Sequence, residues 1–322
     1  MTVPPAPAVP STRTGISDGP LRGIMLKVAS VCIFVVMSAL LKATGNVPAG
    51  QLVFYRCLFA IVPVLVYLAW RRQLVAGFKT ANPVGHVVRG LVGVTSMGLS
   101  FYALTKLPLP EAIALGYASP LLIVVLSAIL LKEQVHLIRW SAVLVGLIGV
   151  AIMLWPRLTV FSGQAAIGLG ETIGAIAALG GALMAAFAMM QVRKLVQTER
   201  TETIVLYFFI SASIISLTTI PFGWVWPTPQ HALFLILAGF AGGVAQIMMT
   251  ASYRHADMSV IAPFEYTSLL LGLLVGYFAF GEIPTMSMLI GAAVVIASGI
   301  VVILREHRLG LDRAKSREAN TP

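Results

Sequence analysis

Charge is the scarcest property of this sequence. Asp, Glu, Lys and Arg make up 11% of its 322 residues while 58% are hydrophobic, and soluble globular domains carry roughly 25% charged residues. An ordinary water-soluble domain is excluded. Cysteine is almost missing too: Cys32 and Cys57 are the two in the chain. Both fall inside apolar runs, so they offer no disulfide framework and no metal cluster, and packing is their expected role. No H-E-x-x-H helix and no G-x-S-x-G elbow occurs, which removes the ligands or nucleophile an intramembrane enzyme would need. No enzymatic activity, metal or cofactor is expected. No A-x-A cleavage site follows the first apolar run, which is long enough to span a bilayer and reads as a retained helix.

What is abundant is apolar sequence in runs of about twenty residues rather than alternating ten-residue strands, which selects helices over a barrel. Ten spans follow, at 22–43, 50–70, 84–105, 109–131, 138–155, 168–191, 202–220, 232–252, 258–280 and 286–304. The fold class is all-α integral membrane. Residues 1–20, with Pro4, Pro5, Pro7, Pro10 and Pro20, read as a disordered tail. If the N-terminus is cytoplasmic, sixteen Lys and Arg fall in inside segments; Lys42, Lys106 and Arg157 are the three outside. That asymmetry places both termini in the cytoplasm. It also accounts for the net charge of +10 without nucleic acid, and makes the C-terminal "REHRLGLDRAKSRE" a solvated cytoplasmic tail.

The chain repeats itself. "LGYASPLLIVVLSAILLKE" (115–133) superimposes on "FEYTSLLLGLLVGYFAFGE" (264–282), so that Tyr117 meets Tyr266, Ser119 meets Ser268 and Glu133 meets Glu282. Gly149 and Gly299, and Tyr102 and Tyr253, follow at nearly the same offset. Each half holds an odd number of helices, so the second is inverted relative to the first. Glu133 accordingly falls in a basic inside loop, and Glu282 in an outside loop without Lys or Arg. Inverted repeats are a common build of secondary transporters, with substrate bound between the halves near the midplane. The expected organisation is a tail (1–20), a first five-helix repeat (21–156), a second (165–305) and a basic tail (306–322).

The stretches "ASPLLIVVLSAILLKE", "APFEYTSLLLGLLVGYFAFGE" and "IGAAVVIASGIVVIL" resemble the EamA type of the drug/metabolite transporter superfamily, over about 22–304. The resemblance implies eight helices (1–4 and 6–9) around a central cavity, with the fifth and tenth outside, and alternating access by rocking of the halves. It implies a bacterial inner-membrane location, a small-molecule substrate and membrane lipid as partners, and it leaves room for a homodimer. "RGLVGVTSMGLSFYALTKLPLPEAIALGYASPLLIVVLSAI" together with "APFEYTSLLLG" is similar to the riboflavin-importer subgroup, so riboflavin uptake is the sharpest expectation. Importers of S-adenosylmethionine carry a related pattern, and exporters of amino acids or drugs are the alternative.

Six residues are candidates for substrate or coupling: Glu265, Arg56, Tyr117, Tyr266, Gln246 and Tyr102. Glu265 aligns with Gly116; a charge present in one half only favours function, as a hydrogen-bond acceptor or a proton-coupling carboxylate. Pairing with a neighbouring helix for assembly is the alternative. The expected helix from Met258 puts Glu265 about 10 Å inside the run. Arg56 stands about six residues into the second helix, where the resemblance implies a gate or an anion ligand; snorkelling to the headgroups competes. Tyr102, Tyr117 and Tyr266 offer aromatic faces for a ring, and Tyr117 and Tyr266 should meet across the pseudo-two-fold axis. Gln246 and Thr250 share one helix face, with interhelical hydrogen bonding as the competing role. His86 and Arg89, one turn apart, are expected to snorkel and contact phosphate, and Lys27 to snorkel as well. Glu111 and Glu171 suit helix N-termini, and the matched Glu133 and Glu282 suit helix-end capping or turn structure rather than substrate contact.

Overall fold

A computed structural model describes residues 19–45, 47–130, 137–158, 169–196, 198–255 and 262–319. We label the helices α1 (Gly19–Ala43), α2 (Ala49–Trp70), α3 (Pro83–Lys106), α4 (Leu109–Gly116), α5 (Ala118–Leu130), α6 (Leu137–Leu158), α7 (Leu169–Leu195), α8 (Thr201–Ser216), α9 (Pro229–His255), α10 (Thr267–Phe280) and α11 (Met286–Ala319). Among the described residues seven helices are long and apolar enough to cross a membrane, and three shorter apolar helices bring the spans to ten. The chain is an all-α, multi-pass membrane protein.

Local chemistry sets the ends. Pro83 opens α3 behind Asn82, whose side-chain oxygen accepts from the Gly85 N–H at 2.8 Å, and Gly281, at φ +64°, closes α10 in the left-handed region. Two expected boundaries differ. The fourth span breaks at Tyr117, separating α4 from α5. In the ninth span a 3-10 turn, Ala262–Tyr266, precedes α10. The two breaks come at matching tyrosines, both with φ of −68°, and discontinuous helices at corresponding places in two halves are a known transporter feature. α11 does not stop near residue 304 but continues helically to Ala319.

Eight spans close into a ring, in the order α1, α9, α2, α8, α3, α7, α4 with α5, then α10 back to α1. Exchanging first-half for second-half helices maps this order onto itself, as an inverted repeat requires. α6 and α11 pair with each other outside the ring. They cross at Gly149 and Gly291, where a Cβ on either would lie 2.8 or 2.5 Å from the other's carbonyl oxygen. Only residues without a side chain allow that approach. Outward faces expose Val62, Val66, Leu144, Ile148, Phe278 and Ile290, the surface that lipid rather than water tolerates.

Candidate functional site

Glu265 is not deep in a continuous helix. It lies in the 3-10 turn ahead of α10, its side chain 48% exposed, and its Oε1 accepts from Lys27 Nζ at 3.2 Å. Lys27 is not a snorkelling lysine: at 1% exposure it is enclosed within the ring wall. A carboxylate facing a cation escapes most of the cost of a lone charge in hydrocarbon. The partner adds to the asymmetry. At the offset of 151 that relates Tyr102 to Tyr253, Lys27 corresponds to Ala178, so neither member of the pair has a charged counterpart.

A second ion pair joins the same two spans at the other end. Lys42 Nζ meets Glu282 Oε1 at 2.9 Å, with side chains 15% and 16% exposed. Lys42 also donates to the carbonyls of Leu107 and, at 3.4 Å, Leu104, while Glu282 Oε2 accepts from the Leu109 N–H at 2.7 Å. The cation thus covers the carbonyl end of α3 and the carboxylate covers the amide end of α4, each matched to the helix dipole. Glu282 is the helix-end cap its position suggested. Glu133 lies outside the described residues.

Tyr117 and Tyr266 meet as expected, ring centroids 5.0 Å apart at 72° in an edge-to-face contact. The Tyr117 hydroxyl and Ser268 Oγ are 2.5 Å apart, and Ser268 donates to the Glu265 carbonyl at 2.7 Å. The Tyr266 hydroxyl packs onto Gly299 so closely that a Cβ there would overlap it. The rings are 8% and 9% exposed, so a ligand could stack on them only if the halves part. Glu265, Tyr117 and Tyr266 therefore form one cluster. Tyr102 packs against the same large apolar core as the two tyrosines, with Lys106 Nζ 5.8 Å from its ring centre. Gln246 is elsewhere, lining a small pocket with Tyr67, Glu202 and Thr250. The Thr250 hydroxyl bonds back to the Gln246 carbonyl at 2.8 Å, within its own helix.

Arg56 is buried, 4% exposed, with its guanidinium 4.9 Å from the centre of the Phe209 ring. Its Nη1 makes a 3.9 Å contact to Cys57 sulfur. Arg89 does not snorkel. Its guanidinium runs one turn along α3, over Gly93 and away from the nearer helix end, to lie 4.3 Å from the Phe208 ring centre. Gly93 is the sequence signal for this, since any side chain there would block the path. His86 is likewise enclosed, at 2% exposure, stacked on Tyr207 at 4.6 Å and 3.8 Å from Glu199. Glu199, in the α7–α8 connection, accepts from Thr80 Oγ1 and the Ala81 N–H at 2.7 Å and the Asn82 N–H at 3.0 Å. Burial pushes its pKa up, but these hydrogen bonds, with His86 nearby, outweigh it and hold the pKa below the ordinary 4.5. Sequence reasoning misread Lys27 and Arg89 as snorkelling residues and passed over Glu199. No cluster of three metal-ligating residues occurs among the described residues.

The EamA-like transporter family matches residues 21–155 and 172–305. The chain is 28% identical to a pseudopaline exporter of Pseudomonas aeruginosa, covering 88% of this chain and 93% of that one. It is 26% identical to an S-adenosylmethionine uptake transporter of Rickettsia prowazekii, over 80% and 84%. It is 27% identical to a riboflavin transporter of Vibrio cholerae, over 88% and 93%. One solved crystal structure superimposes with a TM-score of 0.63 at 21% identity, over 88% of this chain and 98% of that one; it supports the fold alone.

Proposed function

This chain belongs to the EamA-like transporter family, and we propose that it moves a small metabolite with an amino-acid-type head by alternating access, S-adenosylmethionine uptake being the sharpest form. The observation that carries this reading is the Lys27–Glu265 pair: a half-exposed carboxylate held by a buried cation, in one half only. A substrate ammonium group can take Lys27's place on Glu265, which couples binding to release of a contact between α1 and the start of α10. Both termini are taken to face the cytoplasm, from the excess of Lys and Arg on that side. Tyr117, Tyr266, Tyr102 and Gln246 are proposed to line the path as the halves separate.

Riboflavin uptake is the second reading, favoured by the similarity to the Vibrio cholerae riboflavin transporter. Riboflavin carries no charge at neutral pH and would use Glu265 only as a hydrogen-bond acceptor. Proteoliposomes loaded with unlabelled S-adenosylmethionine or riboflavin, and challenged with the labelled compound, separate the two. The first reading expects exchange of S-adenosylmethionine. Exchange of riboflavin alone replaces it with the second, and exchange of neither sinks both.

A further inference from the structure

We propose that Arg56 and Arg89 form an internal oxyanion subsite, which receives the acidic group of the transported molecule. The two arginines arise on α2 and α3, which flank α8 in the ring. Consecutive residues of α8 hold them: Phe209 lies under Arg56 and Phe208 under Arg89. The two rings are themselves neighbours, with centroids 5.6 Å apart, so they bring the guanidiniums to adjoining aromatic faces. Arg56 Nε, Arg89 Nε and Arg89 Nη1 are buried and without a hydrogen-bond partner among the described residues.

The other membrane-embedded cations of the ring differ. Lys27 faces Glu265, and Lys42 faces Glu282 and two carbonyls. Aromatic faces attract a guanidinium but accept none of its N–H groups, so they position Arg56 and Arg89 without satisfying them. Charges held dry and with idle donors are costly. Entry of an anion reverses that cost. A planar fork of N–H donors fits the paired oxygens of a carboxylate or phosphate. Glycine makes the arrangement possible: Gly93 clears the path of Arg89, and a Cβ at Gly242 would come within 3.2 Å of Arg56 Nε. The packing reading, in which the two arginines serve only to fill space against Phe208 and Phe209, leaves the idle donors unexplained.

The identification of the anion as the carboxylate of an amino-acid-type substrate rests on the function proposed above; the subsite itself does not. The test uses the full chain in detergent micelles, with thermal unfolding followed at constant ionic strength as chloride is replaced by acetate in one arm and by inorganic phosphate in the other. A saturable rise of about 2–4 °C is expected in at least one arm, and the arm that responds names the class. R56Q and R89Q should each abolish it, while R56K and R89K, which keep the charge but not the fork, should retain a weaker response. A flat titration of the wild type, or a rise that survives in both glutamine variants, overturns the proposal; if the glutamine variants do not fold, an undiminished rise in both lysine variants does so. Binding of S-adenosylmethionine against its decarboxylated form then separates the two levels, with a preference of about tenfold expected. No preference alongside an intact anion response removes the carboxylate assignment and leaves the subsite. A preference that R89K leaves unchanged overturns the subsite and leaves the transport reading.

Discussion

The two ion pairs between α1 and the ninth span share a helix contact but not a construction. At one end Lys42 and Glu282 are both largely enclosed and also cap the facing ends of α3 and α4. At the other, Lys27 is enclosed while Glu265 is half open. Their relation to the repeat differs as well. Glu282 matches Glu133, and Lys42 matches Arg193 at the offset relating Tyr102 to Tyr253, whereas Glu265 and Lys27 match Gly116 and Ala178. A charge written into both halves belongs to the scaffold that both need. A charge written into one half, and open to a ligand, has no such duty. The comparison teaches that the repeat itself can sort fastening charges from working ones.

The sharpest way to break this contrast is Glu282→Gln. It strips Lys42 of its counter-ion and weakens the α4 cap, so thermal or denaturant unfolding in detergent should show a loss of about 2–4 kcal/mol. A loss no larger than that of Glu265→Gln would erase the distinction. Tyr117→Phe removes the hydroxyl shared with Ser268, in the architecture both halves contribute, and should cost about 1–1.5 kcal/mol by the same measurement. Glu265→Gln should cost about 1 kcal/mol, because the amide oxygen that replaces Oε1 can still accept from Lys27 and no helix cap is lost with it.

The smallest effect concerns the clasp at Glu199. Its pKa is depressed in the folded chain, so its stabilisation is complete above the ordinary value of 4.5 and is lost as pH falls through the lower folded value. Unfolding curves from pH 6 downward should therefore show an acid-side loss of about 0.5–1 kcal/mol that Glu199→Gln lacks. This clasp shares no residue with either ion pair, which makes it a control for charge effects unrelated to them.

Much of the fold was legible because a bilayer demands long apolar runs. The ten spans, the meeting of Tyr117 with Tyr266 and the capping role of Glu282 all followed from hydropathy and the repeat. The breaks at Tyr117 and Tyr266 were not, although Pro120 and Pro263, close to each, were available as signals of an interrupted helix. The partner of Glu265 was hidden by distance: Lys27 is 238 positions away, and near a chain end a lysine looks like one that snorkels. Arg89 was misjudged for a related reason. Its direction is set by Gly93 on its own helix and by Phe208 on another, and only the ring order brings the latter close.

The central claim is that the unduplicated pair does the work and the duplicated one holds the ring together. Exchange of labelled S-adenosylmethionine in proteoliposomes, per folded molecule, for the wild type, Glu265→Gln and Glu282→Gln, tests it most directly. The account predicts a fall of about a hundredfold for Glu265→Gln and of no more than about threefold for Glu282→Gln. Wild-type exchange by Glu265→Gln, or an equal fall in both variants, would contradict it.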